Sequence, residues 1–548
     1  MKIKKEHLML ACICLIGIAA RILKFEDPVA GTDLAVYSHL GKNFIESGKY
    51  FFGENFNMGI FSPPGYPLSI GIINLFINDL FFSAKLVSVI TSMMTIPLFF
   101  MIGKELFDDE AGLFAALVYA VYPVILIISV EPNTEALFFF FLFLSIYIFI
   151  LAVKKDNFIM YVLLGISFAL SYLTRPEGIL LLILPFLRLL GFFGARPPIN
   201  KNYILKTSVM LIIFILLISP YLLFLKKSTG QFTLSGKSNN ILLLSELGGG
   251  KDYYEVVDAP DNLYDKAAFV LTEDKTSLLE WDKKPNRSLK GYILKDPVVF
   301  VSKYLRNVLR EISFLIKDLT PIALPLFFCF FNRELFRMRF AFIFALFPLL
   351  YFFMYPMFLI IERQTLVIVL FLVLFSSGGF KNSRSVINVI VNYYNVRKNK
   401  ALLLLENNIK YIMIFILILS SFLYLKYSSY DKIPQPVEQI EAGYFIKKNI
   451  SSEYEKLNIM ARKPIVNYYS DSRFTMMPYA NGIDVINFAK LNNVDYIVVD
   501  ERFLSKWDYY SELIQLETYS GDIELVYENK ADKLIKIYEL NKNKDLTS

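Results

Sequence analysis

The sequence predicts a polytopic α-helical membrane protein that ends in a small α/β domain. Three observations carry this expectation. Of 548 residues, 55% are hydrophobic and 16% aromatic, against only 20% charged. A soluble protein of this length needs a more charged surface, whereas a bilayer tolerates such a chain. Apolar runs near membrane-spanning length recur through the first three quarters. After Tyr427 those runs stop and the polarity becomes mixed. The net charge of +7 is modest. Its basic residues gather in short links between apolar runs, which reads as membrane topology and not as nucleic-acid binding. Cys12, Cys14 and Cys329 all lie in apolar runs, so neither a disulfide framework nor a zinc site is indicated. With His7 and His39 the only histidines, histidine-based metal or triad chemistry is nearly excluded.

The first span is expected at 8–25, preceded by Lys2, Lys4 and Lys5, which place the N-terminus in the cytoplasm. It reads as a retained helix and not a cleaved signal peptide. Residues 26–80 then form a first outside loop with acidic balance (Glu26, Asp27, Asp33, Glu46, Glu54). Within it, 66–77 is too short to cross and reads as an interfacial helix. Spans follow at 81–103, 111–129, 135–153, 158–173, 178–193 and 203–225, with Lys104, Lys154, Lys155, Arg196 and Lys201 in cytoplasmic links. Residues 226–297 read as a long outside loop containing Gly248-Gly249-Gly250. A second interfacial helix is expected at 298–316, its Lys303, Arg306 and Arg310 meeting lipid headgroups. The last spans are expected at 319–331, 340–355, 358–376 and 411–425. Arg333, Arg337, Arg339, Lys381, Arg384, Arg397, Lys398 and Lys400 would be cytoplasmic. That makes about eleven crossings, an odd number that puts the C-terminus outside the cell or inner membrane. Residues 1–427 would thus form the membrane domain and 428–548 an extracytoplasmic α/β domain. Helices are expected there at 440–449 and 483–491, and strands at 494–499, 524–527 and 534–538.

Charges at the ends of spans are costly and therefore candidates for function. On this topology Asp33, Glu131, Glu135, Arg175, Glu177, Glu362 and Arg363 all fall on the outer face. A carboxylate there can take an acceptor proton, and arginines can hold a leaving phosphate. Structural readings stand beside these. Asp33 also suits a helix cap, Glu135 a helix-dipole partner, and Arg175 and Arg363 headgroup anchors.

Four motifs add to this reading. They are Gly31-Thr32-Asp33-Leu34-Ala35-Val36-Tyr37 with Gly48-Lys49-Tyr50; Ser62-Pro63-Pro64-Gly65-Tyr66-Pro67; the acidic pair Glu131 and Glu135; and Leu173-Thr174-Arg175-Pro176-Glu177-Gly178. Their order, with Glu362-Arg363 and the terminal domain, resembles the GT-C superfamily of membrane glycosyltransferases. Within it the chain is most similar to the dolichyl-phosphate-mannose protein mannosyltransferase and lipid A aminoarabinose transferase relatives. The resemblance implies an inverting enzyme that moves a hexose or pentose from a polyprenyl-phosphate sugar to a protein, lipid or glycan acceptor. It implies Asp33 as general base, Arg363 and Arg175 as phosphate ligands, and Glu131 and Glu135 on the acceptor or metal side. Pro63, Pro64 and Tyr66 would shape the loop. It leaves a divalent metal open. Two positions depart from the pattern. Leu34 follows Asp33 where relatives often carry an acidic pair, and Ser62 stands where the aminoarabinose transferases have lysine, so one phosphate contact is missing or supplied elsewhere.

Other readings predict other features. A transporter or lipid flippase predicts internal repeats and helices broken at mid-membrane. An oligosaccharyltransferase predicts a fuller acceptor motif than Trp507-Asp508-Tyr509-Tyr510. The triple glycine lacks the strand-then-helix context of a nucleotide loop.

Overall fold

The computed structural model describes residues 4–25, 31–191, 201–237, 263–278, 289–330, 340–358, 360–393, 400–427, 436–450 and 456–541. Glu26, Asp27, Arg196, Gly248-Gly249-Gly250, Arg333, Arg337, Arg339, Arg397 and Lys398 lie outside the described residues.

Among the described residues, seven helices are long and apolar enough to cross a bilayer: Lys5–Leu23, Leu80–Leu106, Thr134–Lys155, Lys201–Thr229, Pro297–Cys329, Glu362–Asn388 and Leu404–Tyr424. Helices Asp109–Val121 and Pro123–Val130 are apolar enough as a pair and meet at a break bent by 58°, because Pro123 has no N–H with which to continue the ladder. Shorter apolar helices are Gly65–Ile77, Phe158–Thr174 and Phe342–Met357. The chain is therefore a multi-pass membrane protein.

Three expectations need correction. The expected span 178–193 is a 3-10 stretch, Pro176–Leu182, followed by a short helix, Ile183–Leu189. Pro176 and Pro185 interrupt the donor series that one continuous helix needs. The expected interfacial helix and the span after it form one path. It consists of helix Pro297–Leu319, a 3-10 turn Thr320–Ile322 and helix Ala323–Phe330. Lys381 and Arg384 lie within helix Glu362–Tyr393 and not in a link. Gly379 lies inside this helix and serves close packing. A Cβ there would meet the Pro325 carbonyl oxygen at 2.0 Å.

The chain packs as two units, each drawn from separate segments. One comprises Met1–Asp27, Lys85–Pro220 and Tyr304–Asp431, and the other Pro28–Ala84, Tyr221–Lys303 and Lys432–Ser548. In the first, Arg21 secures the bend in the broken span. Its guanidinium donates to Ser92 Oγ (2.8 and 3.1 Å), to the Gly17 carbonyl (2.9 Å) and to the Ala120 carbonyl (3.3 Å), next to the break.

The second unit contains helix Thr32–Ser47, which the sequence did not announce, and the sheet. Helix Thr32–Ser47 crosses helix Gly65–Ile77 with the backbones touching. A Cβ on Gly41 would lie 2.0 Å from the Pro67 carbonyl oxygen. The strands are β1 Asn458–Ala461, β2 Arg473–Met476, β3 Tyr496–Asp500, β4 Ile523–Asn529 and β5 Ile535–Leu540, in the order β2-β1-β3-β5-β4. β1 pairs parallel with β2 and β3, and β5 pairs antiparallel with β3 and β4. All five residues of β3 are buried, as a central strand covered on both faces requires. The expected strands correspond to β3, β4 and β5. β1 and β2, at four residues each, are too short to read from periodicity.

Candidate active site

In the first unit, one carboxylate gathers two arginines from elements far apart in sequence. Glu135 sits in the first turn of helix Thr134–Lys155 and is 2% exposed. Arg175 caps the end of helix Phe158–Thr174, where Pro176 turns the chain. Its Nη1 donates to Glu135 Oε1 at 2.8 Å, and its Nη2 to Glu177 Oε1 at 3.2 Å. Arg363, in the first turn of helix Glu362–Tyr393, brings Nε to 3.5 Å from the same Glu135 oxygen. Its side chain remains 36% exposed. Glu131 lies in the turn that precedes helix Thr134–Lys155. Its Oε2 accepts from Asn133 Nδ2 at 2.8 Å in the turn between two helices.

The first turn of helix Glu362–Tyr393 also carries Glu362, which pairs with Lys317 at 2.6 Å. Tyr424 OH lies 3.4 Å from both Glu362 and the buried Asp318, and Thr365 donates to Asp318 at 3.3 Å. Sequence reasoning missed Asp318, Tyr351 and Tyr355. Tyr351 OH lies 3.5 Å from the Glu177 carbonyl, and its ring stacks on Tyr355 at 5.5 Å. Aromatic residues in an apolar helix carry no signal that separates packing from function.

In the second unit Asp33 lies exposed in the first turn of helix Thr32–Ser47, where the helix dipole favours a carboxylate. Six residues on, His39 is buried against Phe52 (4.6 Å), with Nδ1 on the Ala35 carbonyl. Burial pushes its imidazole down to about 4, so it is neutral near pH 7. Pro64 caps helix Gly65–Ile77. Buried Tyr66 donates to the Ala84 carbonyl at 3.0 Å and meets Tyr37 edge-on, while Tyr50 OH donates to the Ser62 carbonyl at 2.7 Å. The 62–66 motif thus sets a loop-to-helix turn. Lys463, which follows β1, lies within electrostatic reach of Asp33. Burial and Arg462 push its ammonium down to about 8. Trp507 is interior, donating to Asp265 at 2.9 Å beside the buried Arg462–Asp265 pair. Burial alone would raise the Asp265 carboxyl, but Arg462 holds it below the ordinary range.

Among the described residues, no three His, Cys, Asp or Glu side chains gather as a metal set. Glu135 is committed to two arginines. Among the described residues, those of this group do not make up a metal-ligand set.

The dolichyl-phosphate-mannose-protein mannosyltransferase family matches residues 62–224. ArnT from Cupriavidus metallidurans bound to undecaprenyl phosphate aligns with TM-score 0.58 and 10% identity, covering 97% of each chain. The archaeal oligosaccharyltransferase AglB from Archaeoglobus fulgidus, in complex with an inhibitory peptide and a dolichol-phosphate, aligns with TM-score 0.54 and 14% identity. That alignment covers 94% of this chain and 72% of that one. The same archaeal enzyme in complex with Zn and sulfate aligns with TM-score 0.55 and 13% identity over 94% and 71%. No curated protein sequence matches the chain. The fold is that of the GT-C membrane glycosyltransferases.

Proposed function

We propose that this chain is an inverting glycosyltransferase that moves a hexose or pentose from a polyprenyl-phosphate donor to a hydroxyl acceptor at the extracytoplasmic face of a cell membrane. The single observation that carries the reading is the group Glu135–Arg175–Arg363, at the ends of three helices of a GT-C fold. Glu135 neutralises one positive charge and fixes both guanidinium groups. Two guanidinium groups so gathered suit a phosphate, which arginine binds through paired hydrogen bonds. In this reading Asp33, Glu135, Arg175 and Arg363 lie on the outer side, the N-terminus lies in the cytoplasm, and residues 428–548 form an extracytoplasmic domain.

The reaction follows from these roles. The acceptor oxygen attacks the anomeric carbon while Asp33 takes its proton. The carbon–oxygen bond to phosphate breaks, and polyprenyl phosphate leaves with the bonding electrons, its added charge held by Arg363 and Arg175. Attack opposite the leaving group inverts the centre. Lys463, near Asp33, adds a cation to the same unit and answers the departure at Ser62. The transporter reading anticipated a broken helix, and one is present. Its break is satisfied by Arg21 from within the protein, and the charge groups lie at helix ends.

The test offers the purified chain undecaprenyl phosphate carrying various hexoses or pentoses, with candidate acceptors, and follows glycosyl transfer. Asp33→Asn is expected to lower kcat by about 100-fold or more, the contribution of a positioned base. Transfer at the wild-type rate in that variant removes the base assignment.

A further inference from the structure

Helix Pro297–Leu319 is amphipathic in the inverted sense. Val298, Val301, Leu305, Leu309 and Ile316 are exposed, while Lys303, Asn307, Glu311 and Asp318 are buried. The polar stripe thus faces inward, at helical spacing. Asn307 Nδ2 donates to the carbonyls of Pro356 (3.1 Å) and Phe358 (2.7 Å), fixing this helix against the turn Tyr355–Met357. One helical turn further along the same face stands Glu311. Its side chain is 0% exposed, and neither carboxylate oxygen has a hydrogen-bond partner among the described residues. It lies within electrostatic reach of Tyr355, which is itself within reach of Arg175 and Glu177.

A buried carboxyl group left unsatisfied is costly. A leucine would suit the apolar surroundings better, so fold stability does not account for it. The group is an acceptor without a donor among the described residues, and Tyr355 lies within electrostatic reach of both it and Arg175. The matching donor chemistry is that of a sugar, whose hydrogen-bond donors lie within one ring of the phosphate that carries it.

We infer that Glu311 is a sugar-binding residue, receiving hydroxyl or amine donors of the glycosyl group on the lipid phosphate. The inference rests on the glycosyltransferase reading and deepens it. Arg175 and Arg363 read the phosphate common to all such donors, and Glu311 reads the sugar.

The experiment uses the full chain in detergent with whichever undecaprenyl-phosphate sugar the wild type turns over. Glu311→Gln and Glu311→Leu are expected to raise KM for that donor by about threefold to tenfold, the effect of weakening or losing a buried hydrogen bond. Thermal stabilisation by undecaprenyl phosphate alone is expected to stay unchanged. The Tm without ligand is expected to rise in Glu311→Leu, because an unsatisfied group is gone. An unchanged KM in both variants overturns the inference, as does equal weakening of sugar-free and sugar-bearing lipids. A wild-type chain that transfers from none of the donors overturns the glycosyltransferase reading itself, a result distinct from a Glu311 variant that behaves as wild type.

Discussion

Glu135 holds Arg175 and Arg363 through one oxygen. Removing the carboxylate leaves Arg175 largely enclosed without that partner, and breaking a buried pair typically costs about 3–5 kcal/mol. Glu177 stays beside Arg175 and softens the loss. Glu135→Gln is therefore expected to lower Tm clearly, and undecaprenyl phosphate to restore more of it than it adds to the wild type, because phosphate replaces the missing charge. Differential scanning of both proteins with and without the lipid reads this directly; equal increments would show that the arginines do not meet the phosphate. Glu135, Arg175 and Arg363 were legible in the sequence because charge beside an apolar run is conspicuous. Glu311 was not. It lies in a helix whose Lys303, Arg306 and Arg310 suggested headgroup contacts, whereas Lys303 turns inward with Asn307 and Glu311. The spacing of these three at every fourth residue was the available signal.

Among the elements, the membrane helices follow from hydropathy alone, since no other solvent tolerates such runs. Helix Thr32–Ser47 does not, because it has no single apolar stripe. Leu34 through Gly41 are buried consecutively, all round the helix, and the run includes Ser38, His39 and Gly41. Packing, not periodicity, decides its shape. Its crossing with helix Gly65–Ile77 rests on Gly41 and Gly71, where a side chain on either would meet the other helix's backbone. Gly41→Ala must push the pair apart, at about 1–3 kcal/mol for overpacking. Because this helix carries Asp33, the variant is expected to lose kcat well before it loses Tm, an effect read by transfer rates below the melting transition. Wild-type kcat in Gly41→Ala would mean that the crossing does not position Asp33.

At the scale of the whole molecule, the unit that holds Asp33 is assembled from three distant segments. Lys42 pairs with Asp471 at 3.1 Å, Asn55 exchanges hydrogen bonds with the backbone of Met476, and Tyr479 N–H donates to the Phe269 carbonyl. Melting the sheet therefore releases helix Thr32–Ser47 as well. Asp500, at the end of β3, makes that melting depend on pH. It is 1% exposed and accepts from Phe503 N–H at 2.7 Å. Burial, with the nearby Glu438 charge, raises its carboxyl from 3.8 to about 7 despite Arg462 and Arg502. Below the ordinary value the group is protonated in both folded and unfolded chains. Between that value and about 7 the unfolded chain ionises first, so stability falls as pH rises, and above about 7 the loss is complete. The shift corresponds to about 4 kcal/mol at most. Asp500→Asn keeps the cap oxygen and removes the titration. It should melt at a higher temperature than the wild type at pH 8, with the difference shrinking toward pH 4. The buried Trp507 supplies a fluorescence signal within the same unit. A difference in Tm that stays constant across this range would assign the effect to packing and not to the proton.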